Sequence, residues 1–232
     1  MFGISNSGEP GFSYEWINRL EFINVIISRT VSTTNKYFLD RLIENKDNMI
    51  LHICVSGWGG TSFEPKIPKV DKVLEGVEYL KKNGFNTEFM VLRIDPIFPN
   101  SKGLNKVTEI LELFKRTGIV RVRYGILRQT NTVRQRFIER FGKCPFSWEI
   151  PNEEIVEMVD EKIKSFGYYT YESCRTGLPD SLGCVSEKDL RLFGMTGAPY
   201  TYEKKNHCKC LSGTVELMDG KCPGGCVYCY LD

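Results

Sequence analysis

The chain has 232 residues and a formal net charge of +2, with 41% hydrophobic and 26% charged residues. This composition is typical of a globular protein and fits one large domain or two small ones. No apolar run reaches about 18 residues, and the first residues carry neither a basic start nor an apolar segment. We therefore expect a cytoplasmic protein without a transmembrane helix, a secretory signal or a membrane partner.

Short β-rich segments alternate with helical patterns along most of the chain. The predicted strands are residues 2–6, 24–29, 49–56, 87–94, 119–127, 168–173 and 214–217. In the clearest helical pattern, residues 70–84, apolar side chains recur every three or four positions, and similar patterns surround Val107 and Val159. Helical patterns end where a left-handed cap is expected, at Gly84, Gly118, Gly142 and Gly167.

Alternation of strands and helices at this pitch predicts parallel β/α units. Six or seven such units favour an α/β fold, a parallel partial (β/α)6-type barrel, over two separate domains. We therefore predict a single domain over residues 1–232, in which residues 174–232 form a cysteine-rich and loop-rich region.

In a β/α barrel the chemistry takes place at the carboxyl ends of the strands. The polar residues that end or follow the predicted strands are Glu9, Arg29, Ser56, Arg93, Asp95, Arg123, Arg128 and Cys174. For the arginines, salt bridges at the barrel rim are the alternative to a ligand site.

Cysteine usage is the most informative feature, because seven of the nine cysteines lie at or after position 174. In a reducing compartment such thiols stay free, and thiols crowded into one region most often bind metal. Cys54, in the apolar run MILHICVS, is interpreted as a small buried hydrophobe, and Cys144 stands alone in a loop.

The last residues, CPGGCVYCYLD, place Cys222, Cys226 and Cys229 at a CxxxCxxC spacing. Three thiolates on one short loop suit three irons of a [4Fe-4S] cluster and leave the fourth iron open. Gly224 and Gly225 let the backbone turn tightly around such a cluster. Zinc is the less favoured alternative, because a zinc site usually combines two short cysteine or histidine pairs.

This spacing, with the aromatic Tyr228 before the last cysteine, resembles the motif of radical S-adenosylmethionine enzymes, where it follows the first barrel strand. The start of the chain, FGISNSGEP, resembles the motif that ends their second strand. The resemblance implies a circular permutation, in which strand 214–217 and the cysteine loop form the first unit and residues 2–6 the second. FSYEWINRL, GWGGTSFEPKIP, RIDPI and the cysteine-rich tail resemble an uncharacterised domain family related to spore photoproduct lyase.

The resemblance implies an enzyme that binds a [4Fe-4S] cluster and S-adenosylmethionine. A flavodoxin or ferredoxin would supply the electron for cleavage of S-adenosylmethionine. The resulting 5′-deoxyadenosyl radical would abstract hydrogen from a substrate. Glu9 would accept a hydrogen bond from the amino group of S-adenosylmethionine. Ser56 with either Arg29 or Arg93 would bind its carboxylate, and Tyr228 would lie beside the adenine.

The other cysteines carry further expectations. Cys144 is a candidate to return a hydrogen atom to a product radical, as a cysteine does in spore photoproduct lyase, and its alternative is an incidental loop thiol. Four remaining thiols are predicted to hold a second [4Fe-4S] cluster, with zinc or free thiols as alternatives. They are Cys174, Cys184, Cys208 and Cys210.

The substrate is not specified by the sequence and is either a small molecule or a nucleic acid. Five arginines form either a phosphate-binding strip or a solvated barrel face; they are Arg121, Arg123, Arg128, Arg134 and Arg136. The rival function is a non-catalytic metal-binding module, with zinc or iron–sulfur, that binds nucleic acid.

Overall fold

The computed structural model describes residues 2–21, 23–145, 153–172, 185–195, 210–218, 220 and 222–229, with the side chains of residues 29 and 170–172 left out. Its strands are β1 (Phe2–Ile4), β2 (Val25–Thr30), β3 (Met49–Cys54), β4 (Met90–Ile97), β5 (Arg121–Ile126), β6 (Tyr169–Glu172) and β7 (Thr214–Glu216). Its helices are α1 (Lys36–Glu44), α2 (Val70–Lys82), α3 (Ser101–Phe114), α4 (Asn131–Phe141), α5 (Glu153–Ser165) and α6 (Glu187–Arg191).

The seven strands form one sheet in the order β6-β5-β4-β3-β2-β1-β7. Every neighbouring pair is parallel. Parallel neighbours joined by helices are the repeating unit of a β/α barrel, so the predicted partial barrel of parallel strands is confirmed. The last strand, β7, pairs with the first, Phe2 lying opposite Thr214.

Sequence signals of the expected kind start and end the helices. Asn35, Asn100 and Thr130 cap α1, α3 and α4 by accepting hydrogen bonds from backbone N–H groups in the first turn. The four glycines predicted to end helical patterns have φ between +74° and +83°, the left-handed conformation that glycine adopts most readily.

Two features differ from the predicted elements. The strand predicted at 87–94 begins later, at Met90, because Thr87–Phe89 forms a 3-10 helix capped by the side chain of Asn86. In the cysteine-rich region, α6 was not predicted. A capping box fixes its first turn: the Ser186 and Asp189 side chains each bond to the backbone of the other residue.

The two faces of the sheet bury different cores. The outer face packs against α1, α2, α3 and α5 in a large apolar cluster that includes Phe38, Val77 and Phe114. On the inner face, Ile50 and Val91 pack with Leu190 of α6 in a second cluster. Because both faces are covered, the strands read as nearly continuous apolar runs.

A buried ion network attaches α6 to the inner face near the amino ends of the strands. Asp189 is fully buried, and its carboxylate accepts hydrogen bonds from Arg123 at 2.6 Å and from Arg121. Burial alone would raise the pKa of Asp189, but the two guanidinium groups and the hydrogen bonds from Ser186 lower it below its usual value of 3.8. Helix α6 therefore covers the amino-terminal half of the barrel interior.

Within the described ranges, no helix is both long and apolar enough to cross a membrane.

Candidate functional site

A cavity of about 200 Å³ lies at the carboxyl ends of β1 to β4. The loop that follows β7 closes it with all three cysteines of the CxxxCxxC motif, Cys222, Cys226 and Cys229. The other side chains that matter at its wall are Glu9, Cys54, Ser56, Glu64, Asp95 and Tyr228. Residues from both ends of the chain therefore line one cavity, at the edge of the barrel where the sequence predicts the chemistry.

The cysteine loop, residues 222–229, turns tightly around Gly224. A Cβ atom on Gly224 would lie 3.2 Å from the Sγ of Cys222 and 3.6 Å from that of Cys226, and 2.7 Å from Ile67 Cδ1. The backbone then turns through Gly225, whose φ of +65° is left-handed. Glycine at position 224 thus lets the loop pack closely against Ile67 and two of the cysteine side chains.

The three thiols also affect one another electrostatically. Burial is the main cause that raises the pKa values of Cys222 and Cys226. The charge of Cys229 raises both further, and Cys222 adds to the effect on Cys226. Such neighbouring thiolates need a bound cation to stay deprotonated together.

The chemistry of the donors suits an iron–sulfur cluster. Three thiols on one short loop can each bind a different iron of a [4Fe-4S] cube and leave the fourth iron open. Zinc is the alternative for the same thiols. Among the described residues, no three cysteine, histidine, aspartate or glutamate side chains are placed to hold one metal ion. Cys222, Cys226 and Cys229 are the residues that would hold a cluster.

Two neighbouring segments hold the cysteine loop in place. From one side, Phe63 O accepts a hydrogen bond from Val227 N at 3.0 Å. From the other side, two arginines of α4 donate to loop carbonyls, Arg140 to Gly225 O at 3.2 Å and Arg136 to Cys229 O. The loop position is therefore set by tertiary contacts.

Glu9 follows β1 and is 5% exposed. Its Oε2 accepts a hydrogen bond from Val31 N at 2.8 Å, and its Oε1 accepts from Gly11 N at 3.1 Å and from the Thr30 hydroxyl. Burial raises its pKa to about 7 even though these hydrogen bonds lower it. Glu9 is thus held rigidly at the cavity wall, where a ligand carrying positive charge would favour its ionised form.

A contact with β7 fixes the loop before Glu9. Glu216, the last residue of β7, accepts hydrogen bonds from Asn6 N at 2.8 Å and from Ser7 Oγ at 3.1 Å. Gly8 also lies against the segment that leads to the cysteine loop, since a Cβ there would be 3.1 Å from Met218 Cβ. The pairing of β7 with β1 therefore carries Glu9 and the cysteine loop to the same cavity.

Glu64 is a residue of the site that the sequence analysis missed. It is 3% exposed and lies in the glycine-rich loop after β3. Its Oε1 accepts a hydrogen bond from Ser56 Oγ at 2.5 Å, and Ser56 Oγ in turn accepts from Trp58 N at 3.1 Å. Burial raises the pKa of Glu64 to about 7. The signal that could have found it is an acidic residue in a glycine-rich loop directly after a barrel strand.

Arg93 is placed differently from the expectation. It is fully buried on β4, and its Nη2 and Nε donate to Asp95 Oδ2 at 2.7 and 3.0 Å. Asp95, and not Arg93, lines the cavity. This ion pair is the alternative that the sequence leaves open for the arginines at the strand ends, so the expected role of Arg93 toward a cofactor carboxylate stays a prediction. Arg29 lies on β2, but its side chain is outside the described residues.

Two other cysteine expectations now have a location. Cys54 is buried, as expected for a small hydrophobe, but it also lines the cavity beside the motif cysteines. Cys144 is half-buried against an aromatic cluster and is not among the cavity-lining residues. Its expected role toward a product radical therefore stays a prediction.

Tyr228 and its neighbours form an apolar wall behind the cysteine loop. Its side chain is buried, and its ring packs edge-to-face on Phe98 with centroids 5.8 Å apart. Phe98 also stacks on Trp58 at 4.9 Å and meets Phe63 at 5.3 Å. This aromatic cluster shields one side of the motif cysteines from water.

The predicted second metal site cannot be placed as a set. Cys210 is buried in the inner-face core, where the next residue, Leu211, donates a hydrogen bond to Val185 O. Cys174, Cys184 and Cys208 lie outside the described residues. The second cluster therefore remains a prediction.

The five arginines predicted as a strip do not share one surface. Arg121 and Arg123 point to Asp189 inside the barrel, and Arg136 binds the cysteine loop. Arg134 is exposed on α4, and Arg128 is half-buried. Alternating strand residues and helix residues face different sides of the barrel, so a run of arginines in sequence does not become a strip in space.

Comparison with solved structures identifies the fold. A spore photoproduct lyase with a cysteine-to-serine substitution superposes with a TM-score of 0.55 at 12% identity, over 71% of this chain and 57% of that one. A tyrosine-to-phenylalanine form gives a TM-score of 0.54 at 12% identity, over 70% of this chain and 56% of that one. A form with bound AdoMet and dinucleoside spore photoproduct gives the same values. This chain thus spans somewhat over half the length of these proteins.

At this level of identity the similarity shows a shared fold. No family model matches the sequence, and no curated protein matches it. The structural match agrees with the sequence-based resemblance to relatives of spore photoproduct lyase.

Proposed function

We propose that this protein is a radical S-adenosylmethionine enzyme. The observation that carries the proposal is the convergence of Cys222, Cys226 and Cys229 on the cavity that also contains Glu9 and Ser56. The similarity of the fold to a spore photoproduct lyase that binds AdoMet supports it. When bound at the three cysteines, a [4Fe-4S] cluster would supply the electron that cleaves S-adenosylmethionine to methionine and a 5′-deoxyadenosyl radical.

The chain's own residues would bind and orient the cofactor. Glu9, held by backbone N–H groups, would accept a hydrogen bond from the cofactor amino group and stay ionised beside that positive charge. Ser56 would donate to the cofactor carboxylate, a role that requires it to leave Glu64. Either Arg29 or Arg93 would bind the same carboxylate, and for Arg93 this role requires it to leave Asp95 in part.

The aromatic cluster would exclude water from the reaction. Tyr228 and Phe98 pack in an apolar cluster against Cys226, and a dry cavity prevents the loss of a reactive radical to side reactions. The substrate class to test first is a nucleotide or nucleic-acid base, since a similar structure holds a dinucleoside spore photoproduct. The reductant would be a flavodoxin or ferredoxin.

We further propose that the chain is a circularly permuted form of the barrel. The parallel pairing of β7 with β1 supports this, because it places the cysteine loop after the strand next to the one that precedes Glu9. In the sheet, β7, which precedes the cysteine loop, lies first, followed by β1, which precedes Glu9, and then by β2. In the sequence, β7 comes last.

Anaerobic reconstitution with iron and sulfide tests the function. We expect a brown protein that slowly cleaves S-adenosylmethionine to 5′-deoxyadenosine in the presence of dithionite. Replacement of Cys222, Cys226 and Cys229 by Ala should abolish cleavage and lower the iron count, whereas the Cys144→Ala control should retain its iron. A colourless protein that binds zinc and no S-adenosylmethionine would instead establish the rival metal-binding module.

A further inference from the structure

A second cavity, of about 500 Å³, lies on the outer side of the cysteine loop. Cys222, Cys226 and Cys229 line this outer cavity as well as the inner one. The charged residues of its wall are Arg136, Glu139 and Arg140, all from α4. The three motif cysteines therefore stand between two cavities, one inside the barrel and one open to the surface.

The two cavities differ in the ionisable groups that line them. The inner cavity is lined by the carboxyl groups of Glu9, Glu64 and Asp95. The outer cavity is lined by the guanidinium groups of Arg136 and Arg140, with Glu139 as the opposing charge. The arginines donate to carbonyls of the cysteine loop, so their positive charge is fixed next to the thiols.

We propose that the outer cavity is the docking surface for an acidic one-electron carrier protein of the flavodoxin or ferredoxin class. The proposal rests on the proposed function, in which each cleavage consumes one electron. The carrier is oxidised by one electron. The sulfonium C–S bond of S-adenosylmethionine accepts that electron as it breaks, giving methionine and the radical, and no proton moves in this step.

Charge and position favour such a carrier. A basic concavity attracts an acidic surface and raises the rate of encounter. A small interface is sufficient, because electron-transfer complexes are typically weak and bury less than about 1,200 Å². A carrier seated here would approach the cysteine sulfur atoms without entering the cavity in which the cofactor and substrate bind.

A nucleic acid is the less suitable occupant. The proposed hydrogen abstraction takes place in the inner cavity, and the cysteine loop separates that cavity from Arg136 and Arg140. A nucleic-acid substrate bound at the arginines would lie on the wrong side of the loop. Both arginines already donate hydrogen bonds to backbone carbonyls. They therefore contribute mainly a local positive field and are less available to bind phosphate groups.

The dissociation constant of an acidic flavodoxin, titrated into the reconstituted protein at low and high salt, tests the proposal. Arg140→Glu should weaken binding about tenfold at low salt, and Glu139→Gln should tighten it, because the variants change the charge of the cavity in opposite directions. The matched control is Arg134→Glu, since Arg134 is exposed on the same helix but does not line the cavity. Its binding should change clearly less than that of Arg140→Glu, because Arg134 lies farther from the seated carrier.

A second measurement separates this proposal from the proposed function. Dithionite reduces the protein without a carrier, so formation of 5′-deoxyadenosine with dithionite tests the function alone. The ratio of the flavodoxin-driven to the dithionite-driven rate should fall in Arg140→Glu and rise in Glu139→Gln. Equal weakening in Arg134→Glu and Arg140→Glu would overturn the docking surface. A second result would also overturn the docking surface. In that result a DNA oligonucleotide binds more weakly to Arg140→Glu and more tightly to Glu139→Gln, whereas flavodoxin binds equally well to all three variants.

Discussion

Glu9 lies close enough to Cys222 for its negative charge to raise the pKa of that thiol, in addition to the larger effect of burial. The two residues come from opposite ends of the chain and meet because β1 and β7 are neighbours in the sheet. A carboxylate and a thiolate in one buried space repel each other unless positive charge lies between them. Both groups therefore favour their protonated, neutral forms, and a bound cation would favour their ionised forms.

Removal of the Glu9 charge should weaken cofactor binding. Glu9→Gln keeps the size of the side chain but loses a charge-assisted hydrogen bond, which contributes about 1.5–3 kcal/mol. We expect the dissociation constant for S-adenosylmethionine to rise roughly ten- to a hundredfold, as measured by calorimetry on the reconstituted protein. Glu157→Gln, on the exposed surface of α5, is the control. An unchanged constant in Glu9→Gln would assign Glu9 a purely structural role.

Close packing at Gly224 should matter for cluster incorporation. Gly224→Ala places a methyl group 2.7 Å from Ile67 Cδ1 and close to two motif sulfur atoms, so the Ile67 side chain or the cysteine side chains must shift. We expect a clearly lower iron and sulfide content after reconstitution. Gly220→Ala is the matched control, because a Cβ at that position meets no atom within 4 Å. Equal iron content in the two variants would show that packing at Gly224 does not affect cluster binding.

Stability of the metal-free protein should fall as the pH rises from about 4.5 to above 7. In this range Glu64 ionises in the unfolded chain, whose pKa is 4.5, but remains protonated in the folded protein, whose pKa is about 7. The folded state then binds more protons, so the free energy of unfolding decreases with pH. One pKa unit corresponds to about 1.4 kcal/mol, so the full change for Glu64 is about 3 kcal/mol.

Chemical denaturation of Glu64→Gln over this pH range measures the effect. The variant should lose less stability between pH 5 and about 8 than the unmodified protein, since the neutral amide does not titrate. Glu157→Gln should retain the full pH dependence because Glu157 is exposed. Parallel pH curves for Glu64→Gln and the unmodified protein would contradict a raised pKa at Glu64.

The ion network that attaches α6 should contribute strongly to stability. Asp189→Asn removes the carboxylate that faces Arg121 and Arg123, and breaking a buried pair from one side typically costs about 3–5 kcal/mol. A thermal unfolding experiment should show a large decrease in Tm. Asp160→Asn disrupts only the surface pair with Lys164 and should change Tm little. Similar losses in both variants would refute a special contribution from the buried network.

The sequence predicts the sheet well because strand and helix periodicity reflect local burial. All seven predicted strands are found, and the glycine caps have the expected conformation. Strand ends single out Glu9 and Ser56, and a short motif singles out the cysteine loop. The permuted strand order predicts that the three motif cysteines lie near Glu9, and the structure places all four residues at the wall of one cavity.

The rest depends on contacts between distant segments. Glu64 enters the cavity because its loop folds back on itself, with Gly60 N donating to Glu64 O at 2.9 Å, a path that no periodicity encodes. The sequence places Arg123 at the barrel rim, and only the structure shows that it pairs with Asp189. Short-range patterns thus identify the frame of the site, whereas the partners of its charged residues are set by tertiary packing.

The attachment of α6 inside the barrel also affects how molecules enter. Because Asp189 and Leu190 cover the amino-terminal half of the interior, the inner cavity resembles a cup with its mouth at the carboxyl ends of the strands. When two molecules share such a cup, the one that lies deeper must arrive first and leave last. Binding of a cofactor against the cysteine loop and of a second molecule above it would then be ordered, and the later arrival would itself form the lid.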